Sequence, residues 1–112
     1  MFLSLLLFAA TACSKKCKTE PPRAKIVNNG TNKASVQIMT SNGNTVNINN
    51  ILAGTESELA SYAAGDIQFT ISIQDVSPDV VLTVPMTTCW EYEIRIDSAN
   101  NVASVPTERE KI

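Results

Sequence analysis

The chain has 112 residues, enough for one domain and too few for two. Nine Lys plus Arg stand against eleven Asp plus Glu, a net charge of −2, which excludes the basic stripe that nucleic-acid binders use to displace counterions. The 44% hydrophobic content excludes a highly charged disordered chain, and the lack of histidine removes the commonest general base, metal ligand and pH switch.

Residues Met1 to Ala12 read Met-Phe-Leu-Ser-Leu-Leu-Leu-Phe-Ala-Ala-Thr-Ala and carry no charged side chain. As a helix this run is ~18 Å long, short of the ~30 Å hydrocarbon core of a bilayer. It reads instead as the apolar region and cleavage site of an export signal. The alternative is a buried core element, against which stand the missing polar face and the abrupt change to Ser-Lys-Lys-Cys-Lys-Thr-Glu-Pro-Pro.

Small residues Ala10, Thr11 and Ala12 run directly into Cys13. Over residues 1–13 the chain resembles the lipobox signal of bacterial lipoproteins. That resemblance implies diacylglyceryl transfer to the Cys13 sulfur, cleavage after Ala12 and acylation of the new amino terminus. Two or three lipid chains make such attachment effectively permanent, whereas one holds only marginally. Lys15, Lys16 and Lys18 stand beside the anchor, where anionic headgroups would attract each by ~1 kcal/mol. Ala10 stands where the family usually has Leu, and no Lys or Arg precedes the apolar run, which points to a start upstream of Met1. Ser14, rather than Asp, follows Cys13; by the enteric sorting rule this implies outer-membrane delivery.

With Cys13 lipidated, Cys17 and Cys89 remain as an even pair in an oxidising compartment, and a disulfide between them is expected. It closes a loop of about 70 residues, which the chain-entropy model values at roughly 4 kcal/mol. The competing reading is two free thiols or a reactive Cys89, for which no neighbouring histidine supplies an activator.

Residues 14 to 22 read as a tether, ending in the extended Pro21-Pro22. Beyond it, period-two alternation sets in. Ala24 to Asn28 is a first strand, Asn29-Gly30-Thr31-Asn32 a turn, and Ala34 to Thr40 a second strand. A two-residue Asn42-Gly43 loop would pair Ile38 with Asn47 and mix polar with apolar on both faces. A three-residue loop, Ser41-Asn42-Gly43, pairs Ile38 with Val46 and Val36 with Ile48, and puts Gly43 at the left-handed position this loop demands. The second register is preferred. Thr55 to Ala64 is open: a short helix capped at Thr55, or a strand over Leu59 to Tyr62, the strand being favoured. Ile67 to Gln74 is the clearest strand, with Ile67, Phe69, Ile71 and Ile73 on one face. Val76 to Asp79 turns the chain, Val80 to Val84 is a short strand stopped by Pro85, and Cys89 to Asp97 alternates again. Asn100-Asn101 turns into a last short strand near Val102 to Val105, and the end of the chain frays.

The expected fold is therefore all-β, a small antiparallel sandwich of about seven strands. Its divisions are a signal peptide (1–12), lipidated cysteine and tether (13–22), β-sandwich (23–106) and flexible tail (107–112). In layout it is similar to immunoglobulin-like and transthyretin-like lipoprotein domains, although the Cys and Trp spacing of true immunoglobulin domains is absent.

Few residues offer chemistry. Glu91, Glu93, Arg95 and Asp97 share one strand face, which reads as solvated rather than catalytic. Trp90 and Tyr92 face together, either as core packing or as a ligand-stacking platform for a sugar. Asp75 and Asp79 flank a turn without the dense oxygen pattern of a calcium site, and Asn47, Asn49 and Asn50 read as turn and edge chemistry. Asp97-Ser98-Ala99 matches the short sequon used for O-glycosylation in Bacteroidetes, making Ser98 a candidate site. Asn29-Gly30-Thr31 matches the N-glycosylation pattern but is discounted beside a bacterial signal. The expectation is a non-enzymatic envelope protein held in the membrane, in the outer membrane by the sorting rule, through Cys13. Its module binds or spaces another envelope protein or a glycan, with no cofactor, no metal and no nucleic acid. The alternative is a small inhibitor or carbohydrate-binding module of the periplasm or cell surface.

Overall fold

A computed structural model describes residues 17–109; Met1 to Ala12, Cys13 and the lysines Lys15 and Lys16 lie outside the described residues. Nine strands form, and no helix among the described residues: β1 Arg23–Asn28, β2 Ala34–Met39, β3 Thr45–Ile51, β4 Thr55–Glu56, β5 Ala60–Ser61, β6 Gly65–Ile73, β7 Val80–Met86, β8 Trp90–Ile96 and β9 Val102–Glu108. They make an all-β sandwich. One sheet runs β4-β1-β8-β9, with β5 also on β1; the other runs β3-β2-β6-β7.

Alternation dictates which face of each strand is dry. Ile67, Phe69, Ile71 and Ile73 of β6 are buried, as are Ala34, Val36 and Ile38 of β2 beside them. From the facing sheet, Ala24 and Ile26 of β1 and Tyr92, Ile94 and Ile96 of β8 close the same core. The β2–β3 hairpin adopts the three-residue loop: Ile38 pairs with Val46 and Val36 with Ile48, and Gly43 has φ 89°. The segment 55–64 is extended, as two dipeptide strands rather than one.

Four expectations change. Strand β1 runs parallel to β8, so the sandwich is not wholly antiparallel. On the outer face of this pair Arg23 lies opposite Glu91 and Lys25 opposite Glu93. Opposite charges directly across a strand pair favour that register. Pro85 does not stop β7 but continues it opposite Asp66. β7 is an edge strand, the place in a sheet where a proline's missing N–H is tolerated. Strand β9 extends through Glu108, so Thr107 and Glu108 pair with Glu91 and Trp90 rather than fraying. The tether is also shorter than expected. Cys17 and Pro22 are buried, and the Cys89 N–H donates to Glu20 O at 3.0 Å.

Two poles brace the sandwich. At one, Cys17 and Cys89 are bonded across 72 residues with Cα atoms 5.6 Å apart. Because β1 and β8 are parallel, both strands begin at this end. Arg109 adds to it, donating its N–H to Cys89 O and pairing with Glu20 at 2.7 Å. At the other pole Asn28 is completely buried. Its side-chain amide donates to Asn32 O and Ile51 O, each at 2.9 Å, and its Oδ1 accepts from the Gly30 N–H. Ile51 belongs to the opposite sheet, so one side chain ties both sheets and the β1–β2 turn. Gly30 is required there, since an added Cβ would meet Asn100 Oδ1 at 2.5 Å. Asn28→Ala leaves the buried Ile51 carbonyl and the half-buried Asn32 carbonyl and Gly30 N–H without their side-chain partner. Chemical denaturation should show a stability loss of about 3 kcal/mol, well beyond an exposed Asn29→Ala.

Candidate functional sites

The Trp90–Tyr92 pair is set by β8, whose inward positions they occupy. Their rings stack with centroids 6.5 Å apart and planes 28° apart. They differ in exposure. Tyr92 is buried, and its hydroxyl oxygen accepts from the Thr87 N–H at 2.9 Å. Trp90 is half-buried and lines a cavity of about 360 Å³ with Leu82, Val84, Pro85 and Pro106. Tyr92 lines the same cavity while buried in the core, so the Trp90 ring offers the larger exposed surface to a ligand.

The polar face of β8 is spent on ion pairs. Glu91 is held by Arg23 and by Arg109, the latter at 3.6 Å. Glu93 is held by Arg95 at 2.6 Å and by Lys25 at 3.9 Å. Lys25 also bonds Glu56, and that hydrogen bond is the main reason its ammonium is held above the ordinary 10.5. Asp97 caps the next turn, its Oδ1 accepting from the N–H groups of Ala99 and Asn101 at 2.9 Å. Ser98 sits exposed on that turn, at the asparagine pole. Asp75 and Asp79 are exposed and gather no further ligands; among the described residues no group of three or more His, Cys, Asp or Glu is placed to hold a metal ion.

Sequence reasoning missed a broad concavity. Between β3 and the β4–β5 edge opens a cleft of about 600 Å³, walled by Val46, Ile48, Ile51, Leu52, Ala60 and Tyr62. It exists because β4 and β5 are only two residues each and leave the inner face of β3 uncovered. The one available signal was the ambiguity of 55–64, a segment too broken in pattern to make a full strand.

The bridge between Cys17 and Cys89 belongs to an oxidising compartment, outside a reducing cytoplasm. No protein-family model, curated protein or solved structure matches this chain.

At the base of the cleft, burial pushes the Tyr62 phenol above its ordinary value of 10.0, because the phenolate would lose water. A raised folded value means the neutral form is the one the fold favours. Its contribution is whole below the unfolded value and is lost as pH rises through the folded one. Ultraviolet titration should therefore show a phenol ionising above 10.0 that Tyr62→Phe removes. Loss in that variant of a phenol that ionises at or below 10.0 would contradict the burial argument.

Proposed function

We propose that this chain is a lipoprotein of the bacterial cell envelope, anchored through lipids on Cys13 and carrying a non-enzymatic β-sandwich that binds or spaces another envelope component. One observation carries the reading: of three cysteines, the bridge takes Cys17 and Cys89 and leaves Cys13. Lipidation is the chemistry that an apolar run ending in Ala-Thr-Ala-Cys implies. The bridge also supports a mechanical role. It fixes the chain four residues after Cys13 to one pole of the sandwich, so the domain is held close to the anchored surface. The two-sheet layout is similar to that of immunoglobulin-like and transthyretin-like modules. The enteric sorting rule applied to Ser14 favours the outer membrane.

Ser98 lies at the opposite pole, exposed on the Asp97–Asn101 turn. An O-linked glycan there would project away from the membrane. A second reading, a carbohydrate-binding module, is favoured by the half-exposed Trp90 indole over its cavity. The two readings are compatible, since an anchored module needs something to hold.

The anchor is tested in cells. Labelled palmitate should enter the wild-type protein, and Cys13→Ser should abolish incorporation while the Cys17–Cys89 bridge still forms. Persistent labelling of the Cys13→Ser protein would overturn the assignment.

A further inference from the structure

Each of the two sheets has two edges, and three of the four are blunted in the ways soluble sheets use against unwanted pairing. β7 carries Pro85, β9 carries Pro106 and Glu108, and β4 and β5 are dipeptides. β3 is the least guarded: a register shift opposite Ala34–Val36 disturbs only its last residues, and Thr45–Ile48 pair regularly with β2. Its seven residues, Thr-Val-Asn-Ile-Asn-Asn-Ile, include no charge and no proline.

The backbone of that edge is available. The Thr40 N–H donates to Asn44 O at 2.8 Å, and the ladder alternates from there. Val46 and Ile48 therefore bond β2, while Thr45, Asn47 and Asn49 turn their N–H and C=O groups outward. Side chains alternate the other way. Val46 and Ile48 point under the sheet, into the cleft of about 600 Å³. Val46 remains 38% exposed and Leu52 58% exposed. Across the cleft stand Glu56, which meets Lys25, and Glu58, for which the described residues supply no ion-pair partner.

We infer that this edge and cleft are a docking groove for an extended, basic segment of a partner protein, which joins β3 as an added strand. Three features converge on that occupant. The outward groups of Thr45, Asn47 and Asn49 supply main-chain bonds, the usual source of affinity in strand addition. The cleft takes apolar side chains at alternate positions of the incoming strand. The acidic lip selects a Lys or Arg, whose stem lies along the apolar wall while its charge reaches Glu58. A second copy fits worse. Antiparallel self-pairing of β3 would set the two acidic lips against each other, and like charges brought together disfavour a partner. The inference is independent of the lipid anchor, since it uses only the folded domain.

The probe is a blocked, fluorophore-labelled peptide of about eight residues, a typical strand length. It alternates Thr and Val, with Lys at its central inward position; a twin carries Glu instead. Added to the full chain, the Lys peptide should bind with an affinity tighter than about 1 mM and protect the amides of Thr45, Asn47 and Asn49 from exchange. Asn47→Pro removes one outward N–H on an edge strand, where proline is tolerated, and should weaken binding about ten-fold. Glu58→Lys should weaken the Lys peptide and improve the Glu twin, a swap that a damaged fold would not produce. Absence of saturation, or binding indifferent to both substitutions, overturns the proposal. So does sedimentation showing the chain alone to be a dimer that Val46→Lys dissolves, since the groove would then belong to a second copy.

Discussion

The parallel pairing of β1 with β8 is the constraint on which the rest of this sandwich depends. Six consecutive residue pairs join strands that are 68 positions apart in the chain. Each face of the pair has its own chemistry. Inside, Ala24 with Tyr92 and Ile26 with Ile94 are buried against the second sheet. Outside, the bases of β1 meet the acids of β8. Such half-exposed ion pairs contribute little each, about 0–1 kcal/mol, so burial supplies the stability and charge supplies the register. Strands β4 and β5 hydrogen-bond only to β1. If β1 were lost, the sheet would keep a bare β8–β9 hairpin.

The same pairing gives the molecule its two ends. Parallel strands start together, so residues just ahead of β1 and β8 are neighbours, and Cys17 and Cys89 meet there. The far ends of β1 and β8 are likewise together, where Asn28 and Asn100 tie the turns that leave them. The Asn100 Oδ1 accepts from the Thr31 N–H at 3.0 Å, joining the β8–β9 turn to the β1–β2 turn. A chain built this way has a fixed entry pole and a fixed far pole. An attachment upstream of Cys17 therefore orients the whole domain.

Local signals in the sequence were reliable where they concerned neighbours. The β2–β3 register followed from matching Ile38 and Val36 with Val46 and Ile48, because a one-residue slip would have turned Val46 and Ile48 to the opposite face from Ile38 and Val36. The β6 strand followed from unbroken alternation. The bridge followed from counting cysteines. What was not legible is what distance decides. Arg23-Ala-Lys25 and Glu91-Tyr-Glu93 are complementary, yet nothing local says that they meet, and a parallel partner so far along the chain has no turn to announce it. Pro85 misled because a proline stops a central strand but not an edge strand, and edge position is a property of the folded sheet. The cleft was invisible for a similar reason. It is the shape of a missing strand, defined by how little β4 and β5 cover.

Native-state hydrogen exchange tests the central pairing most directly. Ile26 and Asn28 direct their backbone groups toward the β4 side, through Ser57 and Gly54, so Lys25 and Val27 face β8. The amides of Lys25 and Val27 should exchange only through global unfolding, with the same protection as Phe69 and Ile71 in the middle of the other sheet. Exchange of Lys25 and Val27 through local opening, while Phe69 and Ile71 stay protected, would contradict the account.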